Sequence, residues 1–308
     1  MAQLESSGMD ILRKIKRIAS VFLSAALVFP LVSCAEYGVQ GGDDGKFNIV
    51  TSFYPVQILV MNVAGGIDGV EIDCMSDSNL GCIHDHVFTT DDLRLIENAD
   101  VYVENGLGLE MFNDQILAAY PDLPIIEAAA EVTDAPSDGD EVNGHVWTSI
   151  DDYILEINEV SSRLSELDPV HASEYEANAG AYIARINELT ADYSDVIASV
   201  AGQKVLVLDE SLHSFCVYLG IDYVTIVTDH EQSALSAGHI GETIGYMNDN
   251  GINAIFVAPG DESGVADSIA AETGASIYEI NTVLTGEVYE DAYLDQMGLN
   301  FEVLGYMG

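Results

Sequence analysis

The stretch "DPVHASEYEANAGAYIARINELTADYSDVIASVAG", residues 168–202, decides how the rest of the chain is to be read. Its apolar positions Tyr175, Ala179, Tyr182, Ile183, Ile186, Leu189, Tyr193, Val196 and Ile197 recur at intervals of three and four. That is the period of one buried helical face. The spacing predicts one helix from Pro169 to Val200, roughly 45 Å long at about 1.5 Å per residue. A helix of that length is a strut between two bodies rather than a layer within one.

Both flanks alternate between strand and helix patterns. Upstream, "FNIVT", "VEIDCM", "DVYVENG" and "PIIEAA" read as strands, with helices at "YPVQILVMNVAG", "TTDDLRLIENA" and "MFNDQILAAYP". A polar, acidic loop at 132–144 then leads through "HVWTS" into the helix "IDDYILEINEVSSRL". Downstream of Gly202, "KVLVLD", "YVTIV", "NAIFVAP" and "SIYEIN" are strands separated by helical patterns, and "DAYLDQMGLNFEVLG" closes the chain as a helix. Alternation of this kind marks parallel sheets. The expected fold is therefore α/β: two lobes with parallel sheets, residues 47–167 and 202–308, joined by the long helix at 168–201.

The first residues read differently. Arg13, Lys14, Lys16 and Arg17 precede an apolar run from Ile18 to Val32 that is short for a membrane span and suits a secretory signal. Met9, just ahead of the basic cluster, is an alternative start. "LVSC", Leu31–Cys34, resembles a bacterial lipobox. That likeness implies a lipoprotein signal peptide over 1–33, lipidation of Cys34, and a tether over 34–46.

The whole chain has 9 Lys and Arg against 52 Asp and Glu, a formal net charge of −43. Such an excess repels nucleic acid and anionic lipid head groups. It is best tolerated in salt, where charges are screened within a few ångströms.

Histidine is scarce, 7 in all, yet "NLGCIHDHVFTT", residues 79–90, contains two of them with Cys82 and Asp85. Neutral imidazole is the commonest ligand of borderline metals, and loops that follow parallel strands converge at one end of a sheet. Four positions have that placement: His84 and His145 from the first lobe, Asp209 and Asn281 from the second. Cys74 and Cys82 are expected either to close a disulfide around the His84 loop or to leave Cys82 as a soft metal ligand. Cys216 is expected in the core. His213, four residues after Asp209, is read as a helix-surface or cap residue and alternatively as a further ligand. His86 is read as an entry or outer residue, and His171, His230 and His239 as surface. The carboxylates Asp134, Asp138, Asp140 and Glu141 read as a solvated linker.

"VTSFYP", "GCIHDH", "DDLRLIENADVYVENGLGLE", "HVWTS" and "ETGASIYEINTVLTGE" together resemble the zinc/manganese-type (cluster A-I) substrate-binding proteins of metal ABC transporters, over about residues 47 to 305. The resemblance implies two lobes joined by a rigid helix with the metal in the cleft between them, no enzymatic activity, and partners in an ABC permease and its cytoplasmic ATPase. It also implies an extracytoplasmic, lipid-anchored monomer with no nucleic-acid partner. It places His84 and His145 on the first two family ligands. The third, usually His or Glu, is Asp209 here; the fourth, usually Asp, is Asn281. A His, His, Asp, Asn set tilts toward harder ions such as Mn²⁺ or Fe²⁺, with Zn²⁺ still admissible. Two other readings are set beside this one. One is a metallohydrolase with Asp85 as base. The other is a degenerate relative serving as an adhesin or partner-binding lipoprotein.

Overall fold

The computed structural model describes residues 45–138, 141–226 and 237–307. The signal-like segment, Cys34 and His230 lie outside them. The described residues belong to one compact unit, Gln40–Gly308. None of their helices is long and apolar enough to cross a membrane.

The first lobe begins with β1 (Phe47–Thr51), α1 (Tyr54–Ala64) and β2 (Val70–Cys74), followed by a 3₁₀ turn at Ile83–Asp85. It continues with α2 (Thr90–Glu97), β3 (Val101–Glu104), α3 (Asn113–Ala119) and β4 (Ile125–Glu127). Local chemistry explains several boundaries. Pro55 sits in the first turn of α1, where no N–H is needed. Thr89 and Asp92 form a reciprocal capping box at the start of α2. The four strands run parallel in the order β2-β1-β3-β4. The central strand β3 is buried along its whole length, as expected of a strand covered on both faces.

A two-residue hairpin, β5 (Ser137–Asp138) with β6 (Glu141–Val142), interrupts the acidic loop. Then come α4 (Ile150–Leu167), α5 (Ala172–Asp192) and α6 (Ser194–Val200). The strut expected as one helix is thus two. Tyr193 leaves helical geometry at φ −105°, ψ 11°. Its ring packs against Phe301 at 5.5 Å and its hydroxyl lies 3.3 Å from Glu302. Docking on the last helix redirects the chain there, and the periodicity, which continues unbroken across Tyr193, gave no sign of it. The longer piece, α5, spans roughly 32 Å.

The second lobe contains β7 (Lys204–Val207), a 3₁₀ turn at Glu210–Leu212, α7 (His213–Leu219), β8 (Asp222–Thr225) and α8 (Ala237–Asn250). β9 (Ala254–Val257), α9 (Val265–Thr273), β10 (Ser276–Glu279) and α10 (Ala292–Leu304) complete it. Gly220 ends α7 at φ +65°, the left-handed cap that glycine adopts without a Cβ penalty. The sheet is parallel in the order β10-β9-β7-β8.

The two lobes share one apolar core that runs from Ile49 and Tyr102 through Trp147 and Tyr153 to Tyr293 and Phe301. Buried polar bonds cross between them. Trp147 Nε1 donates to Thr282 O at 2.9 Å, Tyr293 Oη to Trp147 O at 2.9 Å, and Thr148 Oγ1 to Ser211 O at 3.0 Å. Tyr54 Oη donates to Glu287 O at 3.0 Å. Opening the lobes would exchange these bonds for bonds to water, at a net cost of about 0.5–1.5 kcal/mol each, and would expose the shared apolar core. The architecture therefore favours small adjustments over hinge closure.

Candidate metal centre

In each sheet the strand order reverses beside its central strands, and loops leaving the carboxyl ends at such a point form a binding crevice. The second-lobe side follows that rule closely. Val207 at the end of β7 with Leu208 and Asp209 after it, Thr225 and Ile226 at the end of β8, Ala258 and Pro259 after β9, and Asn281 after β10 line a cleft of about 690 Å³. Gly81, Cys82 and His145 line it from the first lobe.

The first-lobe wall is built around two loops. In one, Ile83 is buried and anchors the 3₁₀ turn, while Cys82 before it is half-buried and His84 after it is exposed. Cys82 Sγ lies 3.0 Å from His84 Nδ1 and 3.3 Å from His145 Nε2. In the other, Asn105 Nδ2 donates to Gly144 O at 3.0 Å, and Gly144 lies so close to Leu109 that an added Cβ would be 2.7 Å from its Cγ. This close approach sets the backbone that presents His145.

Asn143 orients the His145 ring. Its Oδ1 accepts the His145 backbone N–H at 2.9 Å, and its Nδ2 donates to the Glu210 carbonyl at 2.9 Å. Neither partner can reverse its role, so the amide has one orientation. The 2.8 Å contact from His145 Nδ1 to Asn143 Oδ1 is then an N–H donation, which leaves the Nε2 lone pair facing Cys82. By the same logic His213 Nδ1, 3.1 Å from Asn143 Nδ2, is an acceptor. Burial first, then the neighbouring His84 and His213, hold the His145 pKa down to about 3. The ring is a neutral imidazole at physiological pH, the form that binds metal.

Among the described residues, Cys82, His84 and His145 form a group whose donor atoms all lie within 4.8 Å of one another. Asp209 and Asn281 line the facing wall, each with a structural bond. Asp209 Oδ1 accepts Ser211 N at 2.9 Å. Asn281 is clasped by the buried Asn300: its N–H and its Nδ2 reach Asn300 Oδ1 at 2.6 and 3.1 Å, and its carbonyl accepts Asn300 Nδ2 at 2.9 Å.

Other expectations resolve as follows. The Cys74–Cys82 disulfide does not form. Cys74, at the end of β2, is turned toward Ser76 Oγ at 4.0 Å, whereas Cys82 faces the histidines. Burial pushes the Cys74 thiol up. Cys216 is in the core. His213, read mainly as a surface or cap residue, lines the cleft and stacks on Tyr223 at 4.8 Å. His86 faces α2 instead, 3.2 Å from Asp92 Oδ2. His171 is half-buried and bonded to Asp168 at 2.5 Å rather than solvated. The side chains of Asp85, Asp138, Asp140 and Glu141 fall outside the described residues.

Sequence reasoning missed Asn143, whose signal was its place two residues before His145. It also missed three buried carboxyls near the site. Burial raises Glu104 to about 8 and Glu110 to about 7, and pushes Glu156 well up.

Comparison with known proteins adds to this geometry. Residues 49–305 match the family model described as the periplasmic component A of the zinc-uptake complex. The iron-binding protein YfeA of Yersinia pestis is 28% identical over 278 residues, covering 85% of this chain and 88% of that protein. The manganese-binding lipoprotein MntA of Halalkalibacterium halodurans is 24% identical, covering 93% of this chain and 97% of that protein. Among solved structures, FpvC from Pseudomonas aeruginosa in complex with Mn²⁺ superposes with a TM-score of 0.76 at 24% identity, covering 85% of this chain and all of that one (100%).

Proposed function

The chain belongs to the family of periplasmic zinc-uptake component A proteins, and on that premise we propose that it captures a divalent transition metal outside the cytoplasm and delivers it to an ABC importer. Proteins of this family are metal-binding components of uptake systems, not enzymes, so the metallohydrolase reading is set aside. The observation that carries the proposal is the donor cluster. Two imidazoles converge with Cys82, and one of them, His145, locked in the ligating tautomer, lines with Cys82 the same cleft as Asp209 and Asn281.

His84 and His145 hold the ion, Asp209 supplies an oxygen across the cleft, and Asn281 offers a neutral carbonyl. YfeA and MntA are named for iron and manganese, and the family for zinc, so the cargo class is Zn²⁺, Mn²⁺ or Fe²⁺. Release follows a small shift of a wall loop at the permease, because the shared core and buried inter-lobe bonds resist wide opening. The proposal includes export through the signal segment and anchoring through lipid on Cys34, as a monomer.

Thermal unfolding of the chelator-stripped protein, titrated with each ion, tests this reading. A saturable rise in midpoint is expected, equivalent to roughly 4 kcal/mol at a thousandfold excess over Kd. It should vanish in the His84→Ala, His145→Ala double variant. An equal rise in both proteins would reduce the binding to cations on the acidic surface, and the degenerate adhesin-like relative would replace this function.

A further inference from the structure

We propose that the captured ion is held by a thiolate as well as by imidazoles: Cys82 is a metal ligand, and its sulfur makes the site discriminate for zinc against manganese. This rests on the reading of His84 and His145 as ligands and adds the residue that sets the choice of ion.

Distance comes first. Cys82 Sγ is 3.0 Å from His84 Nδ1 and 3.3 Å from His145 Nε2. In a tetrahedral zinc site, with Zn–S near 2.3 Å and Zn–N near 2.0–2.1 Å, adjacent sulfur and nitrogen ligands lie roughly 3.5 Å apart. The sulfur thus already stands close to ligand spacing from both nitrogens, and the three donors lie within 4.8 Å of one another.

Local construction comes second. Cys82 precedes the 3₁₀ turn in an extended conformation, φ −71°, ψ 138°, and the turn places His84 one residue beyond the buried Ile83. With Ile83 directed into the core, its two neighbours bring sulfur and imidazole within 3.0 Å of each other, and the sulfur lines the cleft. His145 arrives from a loop some sixty residues away, its Nε2 lone pair aimed at the sulfur because Asn143 occupies the other ring nitrogen.

In the metal-free protein the thiol can donate its proton to a ring lone pair. On binding, the ion takes that position, the sulfur binds as thiolate, and the thiol proton passes to solvent. Thiolate is a soft donor that favours zinc, whereas manganese prefers oxygen. The hard-ion tilt expected from Asp209 and Asn281 is thereby reversed.

The test loads the protein with Co²⁺ and records its absorption. Wild type should show a near-ultraviolet thiolate-to-cobalt charge-transfer band, which needs no variant to be read. The band should be absent in Cys82→Ser, with visible ligand-field bands retained. In competition titrations, Cys82→Ser should lower zinc affinity by about tenfold or more, at least the cost of losing an outer-shell partner, and leave manganese affinity within a fewfold. Cobalt-loaded wild type lacking the band, or an unchanged zinc-to-manganese ratio in Cys82→Ser, would overturn the inference. Were the double histidine variant alone to lose binding, the metal-capture reading would stand without this ligand. Were that variant to bind all ions like wild type, the capture reading itself would fall.

Discussion

The two walls of the cleft are built on opposite plans. On the first-lobe wall the donors are brought together: Cys82, His84 and His145 converge within 4.8 Å, and the ring of His145 is set by Asn143. On the second-lobe wall the donors are kept apart and engaged locally, Asp209 with Ser211 and Asn281 with Asn300. Preformed donors lose little entropy on binding, while donors held by their own loops must share or exchange a bond. On the proposed reading, the difference assigns affinity and choice of ion to the first wall and leaves the second to trim them.

The most severe way to break the comparison is Trp147→Ala. Trp147 is fully buried, packs on His145 at 5.3 Å and reaches Thr282 beside Asn281, so it ties one wall to the other. A loss of about 3–5 kcal/mol is expected in denaturant unfolding, with metal stabilisation lost as well.

The buried carboxyls near the first wall give the next effect. The folded state retains protons on Glu104, Glu110 and Glu156 that the unfolded chain releases near the ordinary value of 4.5. Their contribution is fully present below about 4.5 and is lost as pH rises through their folded values, about 7 and 8 for Glu110 and Glu104. His145 acts in the opposite sense, its contribution being lost as pH falls from 6.5 toward about 3. Between pH 6.5 and 8 the carboxyls operate, joined in the same sense by His171, which its bond to Asp168 raises above the ordinary imidazole value. The melting temperature of the metal-free protein should fall across that window, at roughly 1.4 kcal/mol per pH unit for each retained proton. Glu104→Gln and Glu156→Gln should flatten the slope; a flat wild-type profile would contradict ionisation behaviour of this kind.

Asn143→Ala sharpens the comparison, because it frees the His145 ring while leaving every proposed ligand in place. Zinc affinity should drop by about 10–100-fold, read by competition with a chromogenic chelator. Asp209→Ala should act least. It removes the bond to Ser211 N, worth about 1 kcal/mol in the metal-free melt, and weakens zinc binding less than loss of either histidine does. A larger loss of zinc binding than in His84→Ala would invert the roles of the two walls.

Much of this was legible in the sequence. Strand–helix alternation on both sides of residues 168–202 determined two parallel α/β lobes, because the period of apolar residues is a local property that burial on one or two faces imposes. The caps at Thr89 with Asp92 and at Gly220 are local in the same way: their partners are a few residues away. The histidines stood out because a scarce residue type fell in loops that such sheets bring together. What only the tertiary structure decided depends on partners distant in the chain. The break at Tyr193 comes from Phe301 and Glu302. The place of His213 in the cleft and the tautomer of His145 come from Asn143 and Glu210. The choice of Cys82 between Cys74 and the histidines comes from where two loops end in space. Periodicity reports which face a residue turns inward; it carries no record of which remote atom waits there.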